Sequence, residues 1–162
     1  MMIRLHNDDW GFETNCFVCE PTNAHGLQIP FFHDTEGGLV VAEFELSDTF
    51  SGAPTLVHGG VTLAVLDEAM AWACIAIGKQ WSVTTETTTR FDRAVRVGSG
   101  YRVEAEVVDH VGTTMRAAAR VLDRRGVVRA EANASFTTLG EAQATRIAGG
   151  AIDQRHRRYV ND

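Results

Sequence analysis

The feature that most constrains the fold is an apolar segment over residues 61–77 that carries two adjacent acids, Asp67 and Glu68. The segment is rich in Ala, Leu, Met and Trp, which favour a helix, and Gly78 follows where a helix cap would lie. At about 100° per residue this helix is apolar on nearly every side, which is typical of a buried helix. A membrane span is excluded, because each central carboxylate would cost roughly 2.5–3.5 kcal/mol in a bilayer. We therefore expect a soluble protein built around one buried helix.

Alternating apolar and polar side chains on both sides of this helix predict β-strands. Before the helix, strands are expected over residues 27–33 and 40–46. After it, a strand is expected over residues 82–91, which are rich in the strand-forming residue threonine. Alternation predicts three more strands over residues 101–107, 115–121 and 128–136, with a hairpin turn at 123–126. Helices and strands do not alternate regularly, so the class is α+β. We expect a curved, mainly antiparallel sheet of about six strands wrapped around the helix.

Length and composition limit the organisation and the partners of the chain. Its 162 residues suit a single domain over residues 1–140, with an irregular element at 1–26 and a polar tail at 141–162 that holds a basic run at 155–158. The net charge of -6 argues against a general nucleic-acid binder. Three cysteines and the lack of an apolar run at the N-terminus predict a reducing, cytoplasmic location without a signal peptide.

The two adjacent acids are the strongest indication of chemistry. Buried carboxylates are rare unless they are paired, and desolvation raises their pKa toward values that suit a general base. Asp67 and Glu68 should point about 100° apart on the helix, so they cannot have the same role. In the alternative interpretation each is a satisfied structural group that contacts a buried arginine or the backbone, and this alternative applies more to Glu68 than to Asp67.

His58, Gly59 and Gly60 lie at the predicted start of the helix. The first N–H groups of a helix lack internal acceptors, and glycine lets a ligand approach the backbone closely. These donors predict a site for a carbonyl oxygen that becomes negative. Gly60 and Asp67 lie on roughly the same side, about 10 Å apart along the axis, and a second chain would help to complete a pocket between them. A plain turn from loop to helix is the alternative for the three residues alone.

Three segments together carry a family resemblance: HGGVTLAVLDEAMAWA (58–73), TTETTTRFDRAVRVGSGYRVEAEVV (84–108) and residues 126–138. They resemble the hotdog-fold thioesterases of the phenylacetic-acid-degradation (PaaI-like) type, over about residues 40–138. NCFVCEPTNAHGL (15–27) is similar to an N-terminal element of one branch of that group. The resemblance implies a hotdog fold, hydrolysis of acyl-CoA thioesters, no metal or organic cofactor, and a homodimer or homotetramer.

The resemblance also implies roles for individual residues. The amide of Gly59, which follows the motif residue His58, polarises the thioester carbonyl with Gly60 beside it. Asp67 acts as general base toward water or as nucleophile, and Thr84 helps to place the water.

The substrate-binding residues expected from the sequence are Glu68, Arg90, Phe91 and Arg93. Arg90, Arg93 and Arg96 are spaced to place positive charge near one end of a strand, where guanidinium groups would contact the phosphates of coenzyme A. The alternative is a set of exposed surface charges. An acyl pocket lined by Trp72, Phe91 or Phe50 would suit aromatic or small acyl groups.

Two positions depart from the family pattern. Gly52 stands where many relatives have Asn, which bears on substrate orientation, and Ala94 replaces a usual Pro. Two rival functions stay open. A hotdog hydratase or dehydratase is disfavoured because no His lies between His58 and His110, and a non-catalytic acyl-CoA-binding module would keep the fold without turnover.

The cysteines allow two further hypotheses. Cys16 and Cys19, with His25 and His33, have ligand types that occur in structural zinc sites, although no second CxxC is present. The favoured alternative is a free thiol pair packed against the core, so no metal is expected. Cys74 as a nucleophile with His58 is disfavoured, because a thiol deep in an apolar helix is usually inert.

Overall fold

A computed structural model describes residues 1–7 and 14–150, and its centre is helix α1, Gly59–Ala76. The predicted helix is confirmed, and it begins two residues earlier than the apolar pattern indicated. His58 is the N-cap, with extended backbone (φ -59°, ψ 133°), and its side chain accepts a hydrogen bond from the Gly60 N–H. The basic run predicted at 155–158 lies outside the described residues.

One antiparallel sheet packs around α1. Its strands are β1 Met2–Arg4, β2 Phe32–Asp34, β3 Leu39–Glu45, β6 Trp81–Phe91, β7 Gly100–Val111, β8 Thr114–Asp123 and β9 Val128–Leu139. They are arranged in the order β1-β2-β3-β7-β8-β9-β6, and every neighbouring pair is antiparallel. A separate small hairpin, β4 Ser51–Ala53 and β5 Leu56–Val57, leads into the helix. The predicted α+β class is confirmed.

The core lies between α1 and the concave face of the sheet. Alternate residues of β8 and β9 point inward and many are alanines, so the helix approaches these strands closely; the alanines are Ala117, Ala119, Ala130, Ala132 and Ala134. Larger apolar side chains such as Met70, Met115 and Phe136 fill the remaining space and are fully buried. Among the described residues α1 is the one helix apolar enough to cross a membrane, with a mean hydropathy of 1.4, and here it packs as the core helix of the sheet.

The sheet leaves one face of α1 exposed, next to the edge strand β6. The second half of α1 is buried, whereas Leu63, Ala64 and Asp67 in the first half stay partly exposed. The strand β6 ends the sheet order, and Val83 and Phe91 on it are 38% and 53% exposed. An open helix face beside an open sheet edge is where a second copy of the chain would be expected.

Three short elements differ from the sequence expectations. The predicted strand at 27–33 is wrong except at its end, because Gln28 has a left-handed backbone (φ 53°) and strand geometry begins only at Phe32. The strands β1, β4 and β5 are two or three residues long, too short for any alternation to show. Part of the expected polar tail forms α2, Glu141–Ala148, whose Ala144 is buried.

The end of α1 explains why residue 78 is glycine. The left-handed residue after the helix is Lys79 (φ 58°), not Gly78. A Cβ on Gly78 would lie 2.4 Å from Met115 Sδ and 2.5 Å from the carbonyl oxygen of Cys74. Close packing between helix and sheet, rather than the cap conformation expected from the sequence, therefore requires glycine at this position.

Candidate active site

At the start of α1 one of the first backbone N–H groups, that of Gly59, has no hydrogen-bond acceptor among the described residues. The Gly60 N–H donates to His58 Nδ1 at 2.9 Å. The N–H groups of Val61 and Thr62 both donate to the His58 carbonyl oxygen, at 2.9 and 3.1 Å. Within residues 1–7 and 14–150 no acceptor is hydrogen-bonded to the Gly59 N–H. The structure therefore separates the two glycines that the sequence grouped together, since only Gly59 offers a free donor.

The surroundings of the two glycines also differ. Neither has a left-handed backbone. A Cβ on Gly59 would reach only the Phe91 ring, at an ordinary 3.8 Å, whereas a Cβ on Gly60 would lie 3.1 Å from His58 Nδ1. Gly52 is nearly as close to the same residue, since its Cβ would lie 3.1 Å from the His58 Cα and 3.2 Å from Cδ2 of the imidazole. A side chain at position 52 would therefore press on the residue that caps the helix.

The carboxylate of Asp67 lies on the open face of α1 and contacts the edge strand. Thr84 Oγ1, on β6, donates to Asp67 Oδ1 at 2.8 Å. Among the described residues Asp67 forms no ion pair, so its second oxygen is available to a water or a substrate group. The structure thus brings together Asp67 and Thr84, which are 17 positions apart in the sequence.

Glu68 points away from Asp67, as the helical geometry predicted. Its Oε1 accepts a hydrogen bond from Cys16 Sγ at 3.3 Å. Burial raises the pKa of Glu68 to about 8. The hydrogen bond between the two thiols lowers the pKa of Cys16 and raises that of Cys19. The two acids therefore occupy different environments, one open and one enclosed.

Glu68 also lines a cavity of about 230 Å³ between α1, β6 and α2. Its apolar wall includes Trp72, Ile75 and Trp81, and Cys16 lies at its rim beside Glu68. Of the three aromatic residues predicted to line an acyl pocket, only Trp72 contacts this cavity. Phe91 lies beside Gly59, and Phe50 packs edge-on against Phe17 with ring centroids 6.5 Å apart.

The arginines predicted to contact coenzyme A do not form one group. Arg90 is paired with Asp92 at 3.1 Å and with Glu131 at 3.0 Å, which favours the surface-charge interpretation for this residue. Arg93 and Arg96 instead line a pocket of about 360 Å³ at the end of the sheet.

Three arginines from the β8–β9 hairpin also line that pocket: Arg124, Arg125 and Arg129. Arg129 is paired with Asp123 at 2.6 Å and Arg124 with Glu45 at 3.9 Å, so Arg93, Arg96 and Arg125 contribute most of the positive charge of the pocket. Sequence reasoning placed Arg124 and Arg125 only in a turn. In the β7–β8 register Tyr101 lies opposite Asp123. This pairing places the turn next to the loop that follows Arg96.

Cys74 is fully buried, and burial raises the pKa of its thiol to about 11. It lies 16 residues beyond His58, about 24 Å along the helix axis. A nucleophilic Cys74 activated by His58 is therefore inconsistent with the geometry, since the base must be within hydrogen-bond reach.

The architecture is that of the hotdog fold, and comparison with known proteins identifies the family. A model of the thioesterase superfamily matches residues 55–136, half of the chain, so the chain belongs to this superfamily. A search of curated proteins gives no match.

Solved structures show the same fold. A thioesterase superfamily protein aligns with a TM-score of 0.73 and 23% identity over 80% of this chain, which spans 64% of that protein. The Escherichia coli PaaI protein of the phenylacetic acid degradation operon aligns with a TM-score of 0.59 and 19% identity, over 64% of this chain and 74% of its own. A hypothetical thioesterase of Streptococcus pneumoniae, solved with coenzyme A, aligns with a TM-score of 0.60 and 16% identity, over 64% and 80% of the two chains.

Proposed function

We propose that the protein hydrolyses acyl-CoA thioesters to a free acid and coenzyme A. The observation that carries this proposal is that a carboxylate held by Thr84 and an unpaired amide at Gly59 lie on the open face of one helix. The chain belongs to the thioesterase superfamily, and one protein of the same fold is described with coenzyme A bound. This combination favours thioester hydrolysis over the other reactions of the fold.

In the proposed reaction Asp67 removes a proton from water, and the oxygen of that water attacks the thioester carbonyl carbon. The carbonyl oxygen becomes negative and accepts a hydrogen bond from the Gly59 N–H at the positive end of the helix. The tetrahedral intermediate then collapses, the C–S bond breaks, and the coenzyme A thiolate takes up the proton. Gly60 does not join Gly59 as a donor, because its N–H already caps the helix through His58.

The separation of Gly59 and Asp67 along α1 supports an active unit of two chains. Gly59 and Asp67 are eight residues apart on one helix, about 12 Å along its axis, so a single carbonyl group cannot contact both. The open face of α1 and the edge strand β6 are continuous, and Asp67 and Thr84 lie where they meet. We propose a homodimer in which Gly59 of one chain faces Asp67 of the partner subunit, related by twofold symmetry.

The arginine pocket supports a thioester of coenzyme A rather than of a smaller thiol. Phe91 lies beside Gly59, and Arg93 follows two residues later, about 7 Å further along the chain. The pantetheine arm would therefore be long enough to connect a thioester carbonyl bound at Gly59 with phosphates in the arginine pocket. The arginines of that pocket are Arg93, Arg96, Arg124 and Arg125. Guanidinium groups are well suited to the coenzyme A phosphates.

The proposed function is tested by measuring thiol release from a panel of acyl-CoA esters with short, long and aromatic acyl groups. We expect saturable turnover, and a higher KM when the best acyl group is carried on pantetheine, which lacks the nucleotide phosphates. Purified protein that binds acyl-CoA but releases no thiol from any member of the panel would contradict the proposal and support the non-catalytic module.

Thr84→Val should reduce kcat by about tenfold, because it removes the hydroxyl that orients Asp67, and a hydrogen bond to a charged group contributes about 1.5 kcal/mol or more. Valine fits the strand as well as threonine does. Thr84→Ser should keep most of the activity. Thr85→Val is the matched control, since the Thr85 hydroxyl donates to the Ser135 carbonyl oxygen instead. Steady-state kinetics in which the Thr84→Val and Thr85→Val proteins behave alike would remove Thr84 from the site.

A further inference from the structure

Away from Asp67, two thiols and a carboxylate converge from distant parts of the sequence. Cys16 and Cys19 lie in the N-terminal segment, whereas Glu68 lies on α1, 52 residues after Cys16. Their ligand atoms all lie within 4.8 Å of one another, and Cys16 Sγ is 3.3 Å from Glu68 Oε1. The histidines that the sequence suggested as partners, His25 and His33, are not part of this group.

We propose that Cys16, Cys19 and Glu68 form a binding site for one zinc ion. Thiolate and carboxylate are both zinc ligands, with Zn–S near 2.3 Å and Zn–O of about 2.0–2.2 Å. In a tetrahedral site these bond lengths place two sulfurs about 3.8 Å apart and a sulfur and an oxygen about 3.5 Å apart. The 3.3 Å between Cys16 Sγ and Glu68 Oε1 is already close to that geometry. The other pairs lie within 4.8 Å, so binding the ion would draw them together by about 1.3 Å at most.

The surroundings of Glu68 favour a cation over a purely structural hydrogen bond. Within the described part of the chain Glu68 forms no salt bridge with an arginine or lysine, although it lies in the wall of a largely apolar cavity. Buried carboxylates are normally paired with a cation or coordinate a metal. A divalent cation bound by all three groups would supply the positive charge that these surroundings lack, and two thiolates and one carboxylate around it leave a net charge of -1.

Cys16 and Glu68 both line the cavity that contains Trp72 and Trp81, so a fourth ligand would reach the ion from this cavity. Asn7 stands at the same opening, with its Oδ1 3.7 Å from Cys19 Sγ, and is placed to hydrogen-bond a water on the metal. Bound zinc would therefore fasten the segment that contains Cys16 and Cys19 to the central helix. It would also leave one position open to water or a small ligand. This site has no part in the proposed hydrolysis, in which Asp67 acts without a metal.

The test is a titration of the reduced, metal-free full-length protein with Co²⁺, followed by displacement with Zn²⁺. We expect one Co²⁺ per chain, with sulfur-to-cobalt charge-transfer absorption and the visible bands of tetrahedral coordination, and loss of both when Zn²⁺ is added. Cys16→Ser and Glu68→Gln should each weaken binding by at least tenfold, and zinc should raise the Tm of the parent protein but not of these variants. Cys74→Ser is the matched control, because Cys74 is a buried thiol outside the cluster.

Several results would overturn the site. One is the absence of charge-transfer absorption while titration with a thiol reagent shows that the cysteines are reduced. Another is equal affinity in the parent and Glu68→Gln proteins, which would mean that the two thiols bind metal without the carboxylate. If Cys16→Ser unfolds, as circular dichroism would show, Glu68→Gln in an otherwise native chain still decides the question.

Discussion

Asp67→Asn is expected to lower kcat for acyl-CoA hydrolysis by about 10²-fold or more while the protein stays folded. The amide has the size of the carboxylate, and its oxygen can still accept the hydrogen bond from Thr84. What is lost is the basicity that removes the proton from water. Stopped-flow or steady-state measurement of thiol release, with circular dichroism as the check on folding, gives the result directly.

The adjacent acid provides the control for this substitution. Glu68 has almost the same position in the sequence, but its carboxyl group contacts Cys16 on another side of the helix. Glu68→Gln should therefore keep kcat within about tenfold of the parent, since it leaves the general base in place. An active Asp67→Asn protein together with an inactive Glu68→Gln protein would contradict the assignment and make Glu68 the base.

Gly59→Pro should reduce kcat by about 10²- to 10³-fold, the loss seen when one oxyanion donor is removed, which corresponds to about 2.7–4 kcal/mol. Proline removes the one open N–H group at the helix start, and the first helical position is where proline is best tolerated. The preceding residue, His58, already has the extended backbone that proline requires (φ -59°, ψ 133°). The fold should therefore survive the substitution.

The Gly59→Ala protein distinguishes the loss of the N–H donor from the effect of adding a side chain at position 59. It keeps the N–H group and places a methyl 3.8 Å from the Phe91 ring, where there is room for it. We expect Gly59→Ala to retain at least tenfold more activity than Gly59→Pro. Equal kinetics for the two proteins, whether both active or both inactive, would mean that the Gly59 N–H does not bind the carbonyl oxygen.

The sequence predicted the architecture because long regular elements carry strong periodic signals. The helix and the strands β3, β7, β8 and β9 follow from the apolar pattern, and β6 follows from its threonine content. The hairpin turn at 123–126 is confirmed by Gly126, which has φ of 75°. The short strands and the interruption at Gln28 depend on a single backbone angle or on a few pairings, which leave no pattern to detect.

The candidate residues of the site follow from the sequence, but the contacts between them do not. The resemblance placed Asp67 and Thr84 together in function, and only the pairing of β6 beside α1 shows the hydrogen bond between them. That Gly60 is engaged by His58 depends on the side-chain orientation of the cap, which no spacing rule gives. The proximity of Cys16 to Glu68 likewise depends on how an irregular segment packs against the helix.

The central claim is that the Gly59 amide of one chain and the Asp67 carboxylate of its partner act on the same thioester. It is tested most directly by mixing the Asp67→Asn and Gly59→Pro proteins under conditions that exchange subunits, and then measuring acyl-CoA hydrolysis. In a mixed dimer one site keeps both the native amide and the native carboxylate, so two nearly inactive proteins should recover about a quarter of the parent activity. A mixture in which subunit exchange is verified but activity stays at the level of the separate variants would contradict the shared site.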